Sequence, residues 1–259
     1  MIEIKSVYKT FADKIVLNNV STVFEPGKVT MVIGRSGSGK TILLKSTIGL
    51  SSVDNGEILY NNRDFFKSNI KIQRKIREEM GMVFQGGALF TSATVQENVI
   101  FPLDLFTDWT KAEKLKRVNF CLNRVNIEDA NNLYPGELSG GMQKRVAIAR
   151  AIVLNPKYLF CDEPNSGLDP QTSIVIDKLI KELTLEYNMT TIVNTHDMNS
   201  VMGISDKIYF LYEGQIEWEG VSDDIFNSEN QNLNDFVFAS EFFRKAHSSG
   251  TINGRMVKQ

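Results

Sequence analysis

The chain has 259 residues, 42% apolar and 23% charged, with a formal net charge of −2. That length allows one large α/β domain or a core with an inserted subdomain, and the charge balance makes no electrostatic case for nucleic acid as a partner. Cys121 and Cys161 lie far apart without metal-ligand spacing, which argues against a disulfide framework and for a reducing cytoplasm.

The first residues alternate as a strand, with no basic and apolar regions of a signal peptide. No apolar run approaches the roughly 18 residues that span a bilayer. A membrane role is therefore expected to need a partner that supplies the spans.

In chain order, Ile2 and Ile4 alternate with Glu3 and Lys5. Val16-Leu17 and Val20-Ser21-Thr22-Val23-Phe24 read as two further strands broken by Asn18-Asn19 and ended by Pro26-Gly27. Tyr8 and Phe11 between them read as half-buried strand-end aromatics, in a place where an aromatic also serves to stack on a base. Val29-Thr30-Met31-Val32-Ile33 is a buried strand, and residues 42–48 a helix. Between them stands Gly34-Arg35-Ser36-Gly37-Ser38-Gly39-Lys40-Thr41, a full match to the phosphate-binding P-loop in its required strand–turn–helix context. Its amides and the helix N-terminus present positive ends to phosphates. Lys40 is expected on the β- and γ-phosphates of a nucleoside triphosphate, and the Thr41 hydroxyl on Mg²⁺.

Glu57-Ile58-Leu59-Tyr60 follows as a strand, and residues 63–79 as a solvated helix. Met80-Gly81-Met82-Val83-Phe84-Gln85 is a buried strand that places Gln85 at its carboxyl end, where open α/β sheets bind ligands. Residues 86–154 change character. After a loop with apolar residues, Thr94 and Glu97 stand at capping-box spacing, and helical patterns dominate, so this section is expected to form an inserted helical subdomain.

Tyr158-Leu159-Phe160-Cys161-Asp162 is a hydrophobic run ending in a carboxylate, the usual companion of a P-loop. Asp162 is expected to hold Mg²⁺ through water. Glu163 would then lie near the γ-phosphate and polarise an attacking water. A helix is expected over residues 171–186, then a strand over residues 190–195 beside the Asp162 strand. That neighbourhood aims His196 at the γ-phosphate. His247 reads as solvated. Glu213-Gly214 reads as a hairpin turn. Leu138-Ser139-Gly140-Gly141-Met142 is a second glycine-serine turn at a helix N-terminus, so a second anion-binding device. Two half-sites imply a head-to-tail dimer that sandwiches two nucleotides.

Taken together and in order, these motifs resemble those of the ATP-binding subunit of an ABC transporter, over residues 1–240. Ser139, Gly140 and Gly141 match its signature, Gln85 its Q-loop, Asp162-Glu163 its Walker B and catalytic glutamate, Asp169 its D-loop and His196 its H-loop. Phe11 falls at the adenine-stacking aromatic. The resemblance implies a P-loop NTPase fold with a mixed sheet and the helical subdomain at about 86–154. It implies ATP hydrolysis with Mg²⁺, Gln85 lying in the γ-phosphate, water or metal region, and a second copy closing over the nucleotide. Permease subunits would dock near residues 85–105.

Phe84-Gln85-Gly86-Gly87-Ala88-Leu89-Phe90-Thr91 and Asn98-Val99-Ile100-Phe101-Pro102-Leu103 further resemble the branch serving Mce/Mla-type phospholipid transport between the two membranes of diderm bacteria. That branch implies a lipid-binding Mce-type substrate protein and a peripheral place on the cytoplasmic face of the inner membrane. Amino-acid importers share the general plan. Soluble ABC ATPases fit less well: chromosome-type members put long coiled coils between the two motifs, whereas Lys40 and Ser139 are about 100 residues apart without heptads. Ile42, Met142 and Asn165 depart from the family pattern. Leu233, Phe236, Val237 and Phe243 suggest an apolar helix face over residues 232–245, packed either on its own domain or on the other ATPase subunit. Residues 241–259 are expected to form a tail, disordered from 248.

Overall fold

The computed structural model describes residues 1–239. β1 (Ile2–Phe11) and β2 (Lys14–Phe24) form an antiparallel pair, and β3 (Val29–Ile33) leads into α1 (Lys40–Thr47). β4 (Asn55–Tyr60), β5 (Arg63–Asp64), α2 (Ile70–Glu78) and β6 (Met80–Val83) follow. Three helices fill the stretch before the next strand: α3 (Val95–Phe106), α4 (Lys111–Arg124) and α5 (Gly140–Ile152). β7 (Tyr158–Asp162), α6 (Pro170–Glu186), β8 (Thr190–Asn194) and α7 (Met198–Ile204) complete the core. The hairpin of β9 (Lys207–Tyr212) and β10 (Gln215–Gly220) precedes α8 (Ser222–Ile225) and α9 (Gln231–Val237).

Two sheets result. One has the order β2-β1-β4-β5 and is antiparallel; the other runs β10-β9-β3-β8-β7-β6 and is parallel except for the β10 edge. The central strands are buried on both faces, as parallel strands covered on each side must be. Alternate side chains go to different cores. Val29, Met31 and Ile33 join Leu159, Cys161 and Val193 against the helical layer. Val32 joins Phe160, Ile192, Leu43 and residues of the antiparallel sheet on the other side. Registering Val32 against Asn194, and Asp162 against Asn194, brings the ends of β3, β8 and β7 together.

Three expectations need correction. Asn18-Asn19 does not break the second strand: β2 is continuous, with irregular pairing to β1 and Asn19 at φ 55°. The left-handed residue absorbs the kink within the ladder. Residues 63–79 are not one helix. Asn61 and Asn62 turn with positive φ into the short β5, Phe65 is fully buried, and the helix starts only after Asn69, whose side chain accepts from the Ile72 amide. At the far end, the helix expected over 232–245 is the shorter α9. Leu233 and Val237 are buried in the domain's own core, and the Phe236 ring lies 5.6 Å from that of Phe210. Phe243, His247 and the expected tail lie outside the described residues.

Two local expectations hold. Thr94 and Glu97 form a capping box. Glu213 and Gly214 both take positive φ in the β9–β10 turn, as a two-residue hairpin requires.

Candidate active site

The loop between β3 and α1 wraps a cleft of about 870 Å³. Gly34 (φ 152°) has no room for a side chain: a Cβ there would stand 2.3 Å from the Leu211 carbonyl. Gly39 (φ 110°) caps α1 in the left-handed region, where a Cβ would meet the Val16 carbonyl at 2.8 Å. The glycines thus hold the loop tight against β9 and β2. Arg35, Ser36 and Gly37 are exposed, and the buried Ser38 hydroxyl has no hydrogen-bond partner among the described residues. Thr41 lines the cleft in the first turn of α1.

Lys40 is buried, and its ammonium donates to the carbonyls of Gly34 at 2.7 Å and Arg35 at 3.1 Å. Burial lowers its pKa, while Glu163 and Asp162 oppose that shift. Loop amides, a fixed ammonium and an unpaired hydroxyl suit a polyphosphate.

Across the cleft, β7 and β8 deliver the acidic and imidazole groups. Glu163 has φ 48°, and its amide donates to the Asn194 carbonyl at 2.9 Å. Its carboxylate Oε1 lies 2.9 Å from His196 Nδ1. A carboxylate only accepts, so Nδ1 carries the proton in this pair, on a largely exposed imidazole. Gln85, Glu163 and His196 all line the same cleft as the P-loop. The Gln85 amide donates to Ser166 Oγ at 3.2 Å, while its carbonyl accepts from Lys144 on α5.

The metal expectation fits this set. Among the described residues no three His, Cys, Asp or Glu side chains converge as a cage. Mg²⁺ needs none, because it binds through one or two carboxylates plus phosphate oxygens and water. Asp162, the Thr41 hydroxyl and the Gln85 amide are the groups available to it.

Other expected residues stand apart. Phe11 is half exposed at the end of β1, with Lys9 Nζ 5.2 Å from its ring centre, and the cleft is lined on that side by Lys14 and Val16 instead. Ser139, Gly140, Gly141 and Asp169 are absent from the cleft lining. Ser139 caps α5 by accepting from the Met142 amide at 3.3 Å. Gly141 also has a local reason to be glycine: a Cβ there would stand 2.6 Å from Thr172 Cγ2 on α6. Asp169 caps α6, and its hydrogen bonds from the Thr172 hydroxyl and amide hold its carboxyl below the usual range.

Two residues escaped the sequence reading. Asn194 is buried, and its Nδ2 donates to the Lys40 carbonyl at 3.0 Å and Asp162 Oδ1 at 3.2 Å. Lys144 is buried on α5 and holds the Gln85 carbonyl. Its only signal in the sequence is a lysine that, with Arg145, precedes the apolar run Val146-Ala147-Ile148.

A second, apolar groove of about 390 Å³ lies beside Gln85, lined by Phe84, Ala88, Phe90, Phe101, Pro102 and Phe106 among others. Its rim is preformed. Arg150 donates to the carbonyls of Gly87 and Ala88 at 2.7 and 2.8 Å, and the fully buried Asn98 bonds both backbone groups of Phe90. No helix among the described residues is long and apolar enough to cross a membrane.

Comparison with known proteins shows the family. Residues 17–166 match the family model described as ABC transporter. The chain is 40% identical over 228 residues to the methionine import ATP-binding protein MetN of Clostridium tetani, covering 87% of this chain and 71% of that one. It is 36% identical over 237 residues to the intermembrane phospholipid transport system ATP-binding protein MlaF of Haemophilus influenzae, covering 92% and 90%. The dimeric post-hydrolysis structure of the ATP-binding cassette MJ0796 with ADP and Pi superposes with a TM-score of 0.78 at 33% identity, covering 86% of this chain and 99% of that one. The chain is thus an ATPase that works with ATP and Mg²⁺, and it belongs to the ATP-binding subunits of the ABC transporter family.

Proposed function

We propose that this subunit powers phospholipid transport between the inner and outer membranes, as a peripheral protein on the cytoplasmic face of the inner membrane. The groove beside Gln85 carries the proposal. It is apolar, preformed by Arg150 and Asn98, and built from the stretch that resembles the Mce/Mla branch. It is the place for a permease segment, and motion there reaches the cleft through the Gln85 backbone. A lipid-binding Mce-type protein would complete the assembly. The similarity to MlaF supports this reading.

In the cleft, residues 34–41 bind the phosphates, with Lys40 on the β- and γ-groups. Thr41, Gln85 and Asp162 hold Mg²⁺, which when bound neutralises phosphate charge. Glu163 polarises the attacking water as general base. His196 orients Glu163 through their 2.9 Å contact and presents its other nitrogen toward the γ-phosphate. Phe11 stacks on the base. Ser139, Gly140 and Gly141 of a second copy close the site, aided by Asp169. In this reading residues 1–240 form the ATPase domain, with residues 86–154 as its inserted helical part.

A second reading is supported by the 40% identity to MetN: the ATPase of a methionine or related amino-acid importer. Purifying the subunit with its membrane partners decides between them. Co-purified phospholipid and ATP-dependent lipid transfer support the first; a periplasmic amino-acid-binding protein overturns it. Glu163→Gln is expected to retain ATP binding and prolong the closed dimer. Full hydrolysis by that variant would remove Glu163 from the role of base.

A further inference from the structure

Behind the cleft lies a buried polar cluster outside the motifs. Asp177, on α6, is only 7% exposed. The Asn165 side-chain nitrogen donates to Asp177 Oδ1 at 2.7 Å and to Ser200 Oγ at 3.0 Å. The one Ser200 hydroxyl proton lies between two carboxylates, donating either to Asp197 Oδ2 at 3.2 Å or to Asp177. Asn165 follows Glu163 by two residues, and Asp197 and Ser200 follow His196 by one and four. One carboxylate is therefore tied to both loops that carry the reacting groups.

We propose that Asp177 is a positioning residue for ATP hydrolysis: through Asn165 and Ser200 it sets the loops that hold Glu163 and His196 in their hydrogen-bonded pair. The proposal rests on the roles assigned above to Glu163 and His196.

Three observations support it. Asp177 forms no salt bridge among the described residues, so its charge is balanced by hydrogen bonds alone. Burial pushes its carboxyl up to about 6, against the hydrogen bonds from Ser200 and Asn165 that favour the ion. A lone buried carboxylate costs stability, and such sites cluster where chemistry needs them. Lastly, the Asn165 side-chain oxygen is buried with no partner among the described residues. Protonation turns an acceptor of Asp177 into a donor, and that oxygen is the acceptor it would seek.

Other titratable groups face the cluster. Asp197 opposes the charge from the α7 cap, and Cys161 lies behind it on β7. Lys178, Glu163 and His196 line the same cavity.

The test uses the full chain in complex with its permease. ATP hydrolysis is measured from pH 5.5 to 8.5, with ATP affinity and thermal unfolding measured in parallel. The parent is expected to lose kcat on the acid side with a midpoint near pH 6. Asp177→Asn is expected to lower kcat at pH 8 by roughly three- to tenfold, to leave the KM for Mg-ATP within about twofold, and to abolish that acid limb. Ser200→Ala removes a bond that favours the ion, so its acid limb moves to higher pH. An Asp177→Asn variant with the parent's kcat and pH profile overturns the proposal, as does an unmoved limb in Ser200→Ala. Glu163→Gln run alongside separates the failures: full turnover there sinks the underlying assignment, whatever Asp177 does.

Discussion

One side-chain nitrogen of Asn194 bridges the Lys40 carbonyl and the Asp162 carboxylate, at 3.0 and 3.2 Å. The start of α1 and the end of β7 are thereby held at a fixed spacing. Asn194→Ala leaves the buried Lys40 carbonyl without this donor. A loss of about 1–3 kcal/mol in urea unfolding is expected, with a larger loss of ATP affinity in the presence of Mg²⁺ than in its absence. An equal loss with and without the metal would count against the bridge to Asp162.

Lys40 is pre-positioned by the two carbonyls of its own loop, so its charge is aimed before nucleotide arrives. Lys40→Ala should remain folded and lose on the order of 2–5 kcal/mol of ATP binding, read by calorimetric titration. Retained tight binding would show that the loop does not hold the phosphates through this ammonium.

The Ser139-Gly140-Gly141 turn is packed closely against α6. Gly141→Ala sets a methyl group 2.6 Å from Thr172 Cγ2. Overpacking of this kind costs about 1–3 kcal/mol. Thr172→Ser removes the methyl group in the way, so the double variant should recover most of the stability of the parent. ATPase activity that stays low in the stable double variant would then report the phosphate contact made to a second copy.

Asp177 gives a pH-dependent stability with a definite sign. Its carboxyl is raised from 3.8 to about 6 on folding, so the folded chain binds the proton more tightly. The resulting cost is absent below pH 3.8, grows as pH rises, and is complete above about 6. Asp177→Asn should therefore raise the unfolding free energy at pH 7.5, by up to about 3 kcal/mol. The gain should shrink to nothing near pH 4, which chemical denaturation at both pH values would check.

What the sequence by itself determined was local chemistry. A P-loop declares itself because strand, glycine turn, Lys40 and Thr41 are contiguous, and backbone geometry dictates each residue. The Asp162-Glu163 strand end, the Thr94–Glu97 cap and the Glu213-Gly214 hairpin are legible for the same reason. Strand neighbours followed from topology, which set His196 beside Glu163. Only the tertiary structure decided the rest. Asn18-Asn19 looks like a break until the β1 ladder carries the strand through it, and Phe65 looks solvated until the core closes over it. Asn194 and Lys144 are ordinary polar residues until partners more than fifty positions away in sequence meet them. Gly141 reads as an anion-binding glycine, yet its contact with Thr172 exists only once α6 folds back on α5. Such contacts depend on distances through space, which spacing along the chain does not encode.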